Sequence, residues 1–126
     1  MNEIYLKFRT SISNLIDKQT NNQEISPEII EFTTTLTTIL ENGFITNKSL
    51  FIKRKLWNFI EYMNFDQDLI KSVVDISADL DERVSVFIKM SLMKGTLGLN
   101  MNHLFGNELI INEWFVLIDK GMIQHQ

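Results

Sequence analysis

Apolar side chains recur three and four positions apart along most of the chain, and short polar or glycine-bearing breaks divide them into about seven segments. That spacing is the period of an amphipathic helix, since residues three or four apart share one face. In the first segment Ile4, Phe8, Ile12, Leu15 and Ile16 keep it, which predicts a helix from residue 3 towards residue 21. Residues 19–24 contain no apolar side chain and include Asn21 and Asn22, so the helix should give way there to a loop.

The second helix announces its start. Ser26 can cap free backbone N–H groups, Pro27 fits a first turn, and Glu28 faces the positive end of the helix dipole. Ile29, Ile30, Leu36, Ile39 and Leu40 form its predicted stripe, and Gly43 is the expected left-handed ending. Threonines at 33, 34, 35, 37 and 38 favour a strand on propensity alone, but the 3.6-residue period favours the helix.

Further along, residues 50–63 carry Phe51, Ile52, Leu56, Trp57, Phe59, Ile60 and Met63 around the basic run Lys53, Arg54 and Lys55, and read as one buried helix. Asp66 can cap a short helix reaching Val74. Val84, Phe87, Ile88, Ser91 and Leu92 share a helical face that ends at Lys94 and Gly95. Thr96 is placed to cap a helix with Leu97, Met101 and Leu104, and Gly106 with Asn107 should break it. A last helix is predicted over 108–120, with Leu109, Ile110, Trp114, Phe115 and Ile118 on its stripe. The expected fold is all-α, a single compact bundle of about seven helices spanning residues 1–126.

Composition narrows the function classes. With 126 residues, nine phenylalanines and a single proline, the chain can build one ordinary core without disulfide or metal support. It has no cysteine, which removes thiol catalysis, disulfides and cysteine-bound zinc, and predicts an intracellular protein. Residues 1–8 lack the apolar run of a signal peptide, and no stretch approaches the roughly 18 apolar residues of a membrane span. A net charge of −4 argues against nucleic acid or an anionic membrane as the main partner.

Candidate chemistry is sparse. The histidines are His103 and His125, and neither stands in a nucleophile and base pattern. Asp66 with Asp68, and Asp79 with Asp81 and Glu82, lie where helices begin, so capping accounts for both groups. The spacing of Asp66 and Asp68 resembles the opening of a calcium loop but lacks its later glycine and glutamate. There is no phosphate-binding glycine loop. These absences predict a non-enzymatic protein without cofactor or metal. Trp57 and Trp114 read as core residues on dense stripes, with interface anchors as the rival reading that would require exposure. Lys53, Arg54 and Lys55, with Arg83, Lys89 and Lys94 on a later helix, are the concentration of positive charge, either a solvated face or a patch that steers an acidic partner.

Several stretches also follow one another in a familiar order. Leu36-Thr37-Thr38-Ile39-Leu40-Glu41-Asn42-Gly43-Phe44 is followed by Leu56-Trp57-Asn58-Phe59-Ile60-Glu61, then by Phe87-Ile88-Lys89-Met90-Ser91-Leu92, and finally by Glu113-Trp114-Phe115. This series resembles RUN domains, which carry a helix ending in His-Gly-Leu, a Trp-x-aromatic helix, an aromatic-apolar-Arg-x-x-Leu helix and an acidic residue before paired aromatics. Glu82-Arg83-Val84-Ser85 stands where that family has Gly-basic-Gly-Arg, and the chain stops at Gln126 where the family continues with further helices. The resemblance implies a cytoplasmic interaction domain that engages a small GTPase of the Rab, Rap or Arf-like type, recruited to organelle membranes through that partner. It also implies contacts through Asn42, Gly43, Lys53, Arg54, Arg83 and Lys89. Two other expectations stand beside it: a small acidic inhibitor or immunity-type protein that neutralises a basic enzyme through Asp66, Asp68, Asp79, Asp81 and Glu82, and a structural subunit of a larger assembly.

Overall fold

Seven helices and no named strand make up the described residues of the computed structural model, which are 3–17, 27–46 and 53–116. They are α1 (Glu3–Asp17), α2 (Pro27–Gly43), α3 (Leu56–Met63), α4 (Gln67–Ile76), α5 (Leu80–Met93), α6 (Leu97–Phe105) and α7 (Glu108–Trp114). The expected caps at Ser26, the loop over 19–24 and the apolar pair Phe51 and Ile52 lie outside the described residues. None of these helices is long and apolar enough to cross a membrane.

α5 is the axis of the bundle and packs against α2, α3, α4 and α6, while α1 packs on α6. Its stripe is the one read from the sequence: Val84, Phe87, Ile88, Ser91 and Leu92 are all buried. Removing each such aliphatic or aromatic side chain from water is worth about 1.5–3 kcal/mol, enough to fix which face turns inward. Ser91 is buried without penalty because its hydroxyl accepts the amide of Asn100 at 2.8 Å. Asn100 also donates to Thr96 Oγ1 at 3.3 Å, so a small polar network ties the end of α5 to α6. Thr96 therefore joins two helices and makes no side-chain capping bond, contrary to its predicted role. α1 is held at the far end of α6, where the buried Tyr5 hydroxyl donates to the carbonyl of Phe105.

Most helix ends follow local chemistry. Asp66 accepts the Leu69 amide at 3.1 Å, and Asn107 accepts those of Leu109 and Ile110. Asp79 accepts from Asp81 and Glu82 at 2.8 and 3.0 Å. Asp79→Ala should therefore lower stability by about 1–2 kcal/mol in a urea melt, whereas Asp79→Asn keeps the acceptor and should stay near the parent protein. Gly95 ends α5 at φ 72°, a conformation costly for other residues.

Other boundaries depart from the sequence pattern. Gly43 is the last residue of α2 and not left-handed; among the described residues the positive-φ positions are Gly95 and Asn64, the latter ending α3 at φ 41°. α3 begins at Leu56 and not at residue 50, because Lys55 is extended (φ −112°, ψ 157°) and the Arg54 amide donates to Thr46. α7 stops at Trp114 and not at residue 120. Phe115 is extended and forms an antiparallel bridge with Phe44, the Ile45 amide donating to Trp114 at 2.8 Å and the Val116 amide to Gly43 at 2.7 Å.

Two stripes are rotated as well. On α2 the buried positions are Phe32, Thr33, Leu36 and Leu40, while Ile30 is exposed. On α7 it is Ile111 that is buried, and Leu109 stands 78% exposed.

Candidate functional site

The short ribbon between Phe44 and Phe115 brings together the end of α2, the approach to α3 and the end of α7. Phe115 turns inward against Phe8, Phe44, Phe59 and Phe105, with ring centroids 5.2–6.1 Å apart. Trp114, the preceding residue and the last of α7, packs on the edge of the same cluster and remains half-buried at the surface.

Trp114 is held from several directions. Phe44 stacks on it at 6.1 Å, Phe59 tilts against it at 5.6 Å, and Tyr62 lies 5.3 Å away. Arg54 covers it with its guanidinium carbon 4.1 Å from the ring centroid, a cation–π distance. The same guanidinium donates to the Ile45 carbonyl at 3.3 Å and the Glu113 carbonyl at 3.1 Å. Arg54 thus bolts the two strands of the ribbon to the start of α3. Tyr62 is 59% exposed and completes an aromatic surface fixed by its surroundings.

The residues singled out from the sequence divide around this surface. Asn42 and Lys53 are exposed and Gly43 is half-buried; with Arg54 they belong to the segments that meet at the ribbon. Arg83 lies instead on the first turns of α5, where its Nε donates to the Ser77 carbonyl at 2.7 Å and its guanidinium stands 5.9 Å from the Trp57 ring. Lys89 is six residues further on and therefore about 120° around the helix, so it does not share the face of Arg83. Lys55 reaches Asp81 at 3.4 Å, and both side chains are more than half exposed, which makes the pair worth little. Of the positive charges read as one patch, Lys55 is thus paired with an acidic group, and Arg54 and Arg83 are engaged with backbone carbonyls.

The acidic candidates divide too. Asp66 and Asp79 cap α4 and α5 and stand beyond opposite ends of α4, whose ten residues span about 15 Å. Among the described residues no group of three His, Asp or Glu side chains is arranged to hold a metal. His103 is exposed and stacks on Phe65 at 5.3 Å. Of the tryptophans, Trp57 is core at 0% exposure, whereas Trp114 belongs to the surface.

Tyr62 was not among the residues singled out from the sequence. Its signal was weak but present: it breaks the apolar stripe of α3 on the side away from Trp57, where an aromatic has no core to enter. No family model, no curated protein and no solved structure matches the chain.

Proposed function

We propose that this chain is a non-enzymatic protein-interaction domain, RUN-like in the order of its motifs, that binds a small GTPase through the surface formed by Arg54, Tyr62 and Trp114. Asn42, Gly43 and Lys53 would border the contact. The observation that carries this reading is the pairing of an exposed Tyr62 with a half-buried Trp114 clamped by Arg54. Tyr, Trp and Arg are the residue types that most often dominate binding energy at interfaces. Here the surrounding rings already restrict Trp114, so little side-chain freedom would be lost on binding.

Electrostatic steering has a smaller part than the basic run suggests, because Lys55 is paired with Asp81 and Arg54 donates to backbone carbonyls. Binding by this surface should therefore depend only weakly on salt. The test is retention of purified Rab, Rap and Arf-like GTPases, each loaded with GDP or a GTP analogue, on the immobilised chain. At least one should be retained, and Tyr62→Ala should weaken it about tenfold or more while leaving the melting temperature nearly unchanged. Failure to retain any GTPase in either nucleotide state would overturn the partner assignment.

A further inference from the structure

An open groove with a cavity volume of about 170 Å³ runs between α1 and α6. Its floor is apolar: Ile12, Ile16, Met101 and Phe105 line it. Each of them is at most 7% exposed, so the groove is shallow over a closed floor. Gly98 forms part of one wall, and a Cβ there would meet nothing within 4 Å. Arg9 stands on the rim, donating to Asn102 across the groove at 3.2 Å and leaning over the Tyr5 ring at 5.8 Å.

The charge around this groove is unlike that of the rest of the chain. The sequence holds 16 carboxylates, yet residues 4–16 and 97–105, which supply both walls, contain none. They contain the cations Lys7 and Arg9. The carboxylates that flank these stretches are Glu3, which pairs with Lys7 at 3.9 Å, Asp17, Glu82 and Glu108. An apolar slot rimmed by an arginine and bare of carboxylates fits an apolar side chain that carries an acidic neighbour.

The chain itself displays such a feature at the turn from α4 to α5. Ile76 is 62% exposed at the last residue of α4, and Asp75 beside it is exposed. Asp79, Asp81 and Glu82 follow within six residues and deepen the negative potential. The turn cannot reach its own groove. α5 stands between, packing against α4 on one side and α6 on another, with α1 beyond α6.

We infer that copies of this chain associate head to tail, the Asp75–Ile76 corner of one seated in the α1–α6 groove of the next. Ile76 would rest on Ile12 and Met101, and the Asp75 carboxylate would meet Arg9. Two different patches meet in such a contact, so it can repeat from copy to copy. A single anchor of this size gives a weak contact, with Kd on the order of 0.1 mM. The inference uses neither Tyr62 nor Trp114 and does not depend on the GTPase reading.

Sedimentation equilibrium of the full chain between about 10 µM and 1 mM tests it. The average mass should rise with concentration above that of one chain. Ile76→Asp, Arg9→Glu and Gly98→Leu should each remain monomeric; Gly98→Leu fills the groove without touching the arginine. Mixing Ile76→Asp, which keeps its groove, with Gly98→Leu, which keeps its corner, should restore a pair of unlike chains. Thermal melts monitored by circular dichroism establish that each variant is folded, and Arg9→Glu can be dropped without loss if it is not. A parent chain that stays monomeric throughout would overturn the inference. So would a folded Ile76→Asp that associates like the parent, or a mixture of folded variants that does not pair.

Discussion

Phe59→Ala should destabilise the protein by about 3–5 kcal/mol, a fall in melting temperature of roughly 12–20 °C for a chain of this size. Phe59 is fully buried, and its ring meets Phe105 at 5.7 Å, Trp114 at 5.6 Å and Phe115 at 5.2 Å. Those partners come from α6, α7 and the ribbon, whose positions are fixed by other contacts, so the vacated space cannot simply collapse. Calorimetry would measure the loss, and a change below about 1 kcal/mol would contradict the packing described. Phe59→Leu keeps much of the volume and should cost less than half as much.

Trp57→Ala should match that loss, but Trp57→Phe should cost far less than its lost volume suggests. Trp57 is fully buried, and its indole N–H has no hydrogen-bond partner. An unsatisfied buried donor costs about 1–3 kcal/mol, and phenylalanine removes it along with the second ring. The two effects oppose each other, so a net change under about 2 kcal/mol is expected from chemical denaturation. Equal losses for the alanine and phenylalanine variants would mean that the N–H is satisfied in solution.

The contrast between helices read well and read poorly from the sequence has a physical basis. The buried face and the end of α5 are legible because its five buried positions keep one period, with Asp79 at its start and Gly95 past its end. The start of α4 is legible through Asp66, although the helix runs on to Ile76, two residues past the expected end at Val74. The errors concentrate where residues distant in sequence meet. Nothing local distinguishes Lys53 to Lys55 from another helical turn, since the bond that extends them comes from Thr46. Likewise Phe115 leaves the helix because Phe44 offers a bridge seventy-one residues away. The rotated stripe of α2 has another cause: Thr33 is buried at 2% exposure, a polar residue that a hydrophobic count assigns to the outside.

The candidate site inherits this pattern. Arg54 was visible as one charge in a basic run, but its clamp on Trp114 depends on the ribbon and could not be read from spacing. Arg83 and Lys89 looked equivalent as cations on one helix, and helical geometry separates them. Tyr62 needed the position of Trp114 before its exposure gained meaning.

The aromatic cluster around Phe115 also imposes an order of events during synthesis. Phe8, Phe44, Phe59 and Phe105 emerge from the ribosome earlier, and all four pack on a ring that comes later in the chain. α4 and α5 can pair locally as they appear, whereas the nascent chain must carry these unsatisfied phenylalanines until Phe115 leaves the exit tunnel. Chaperone demand should thus be highest just before that residue leaves the tunnel, and a pause at that stage would leave a helical but sticky intermediate.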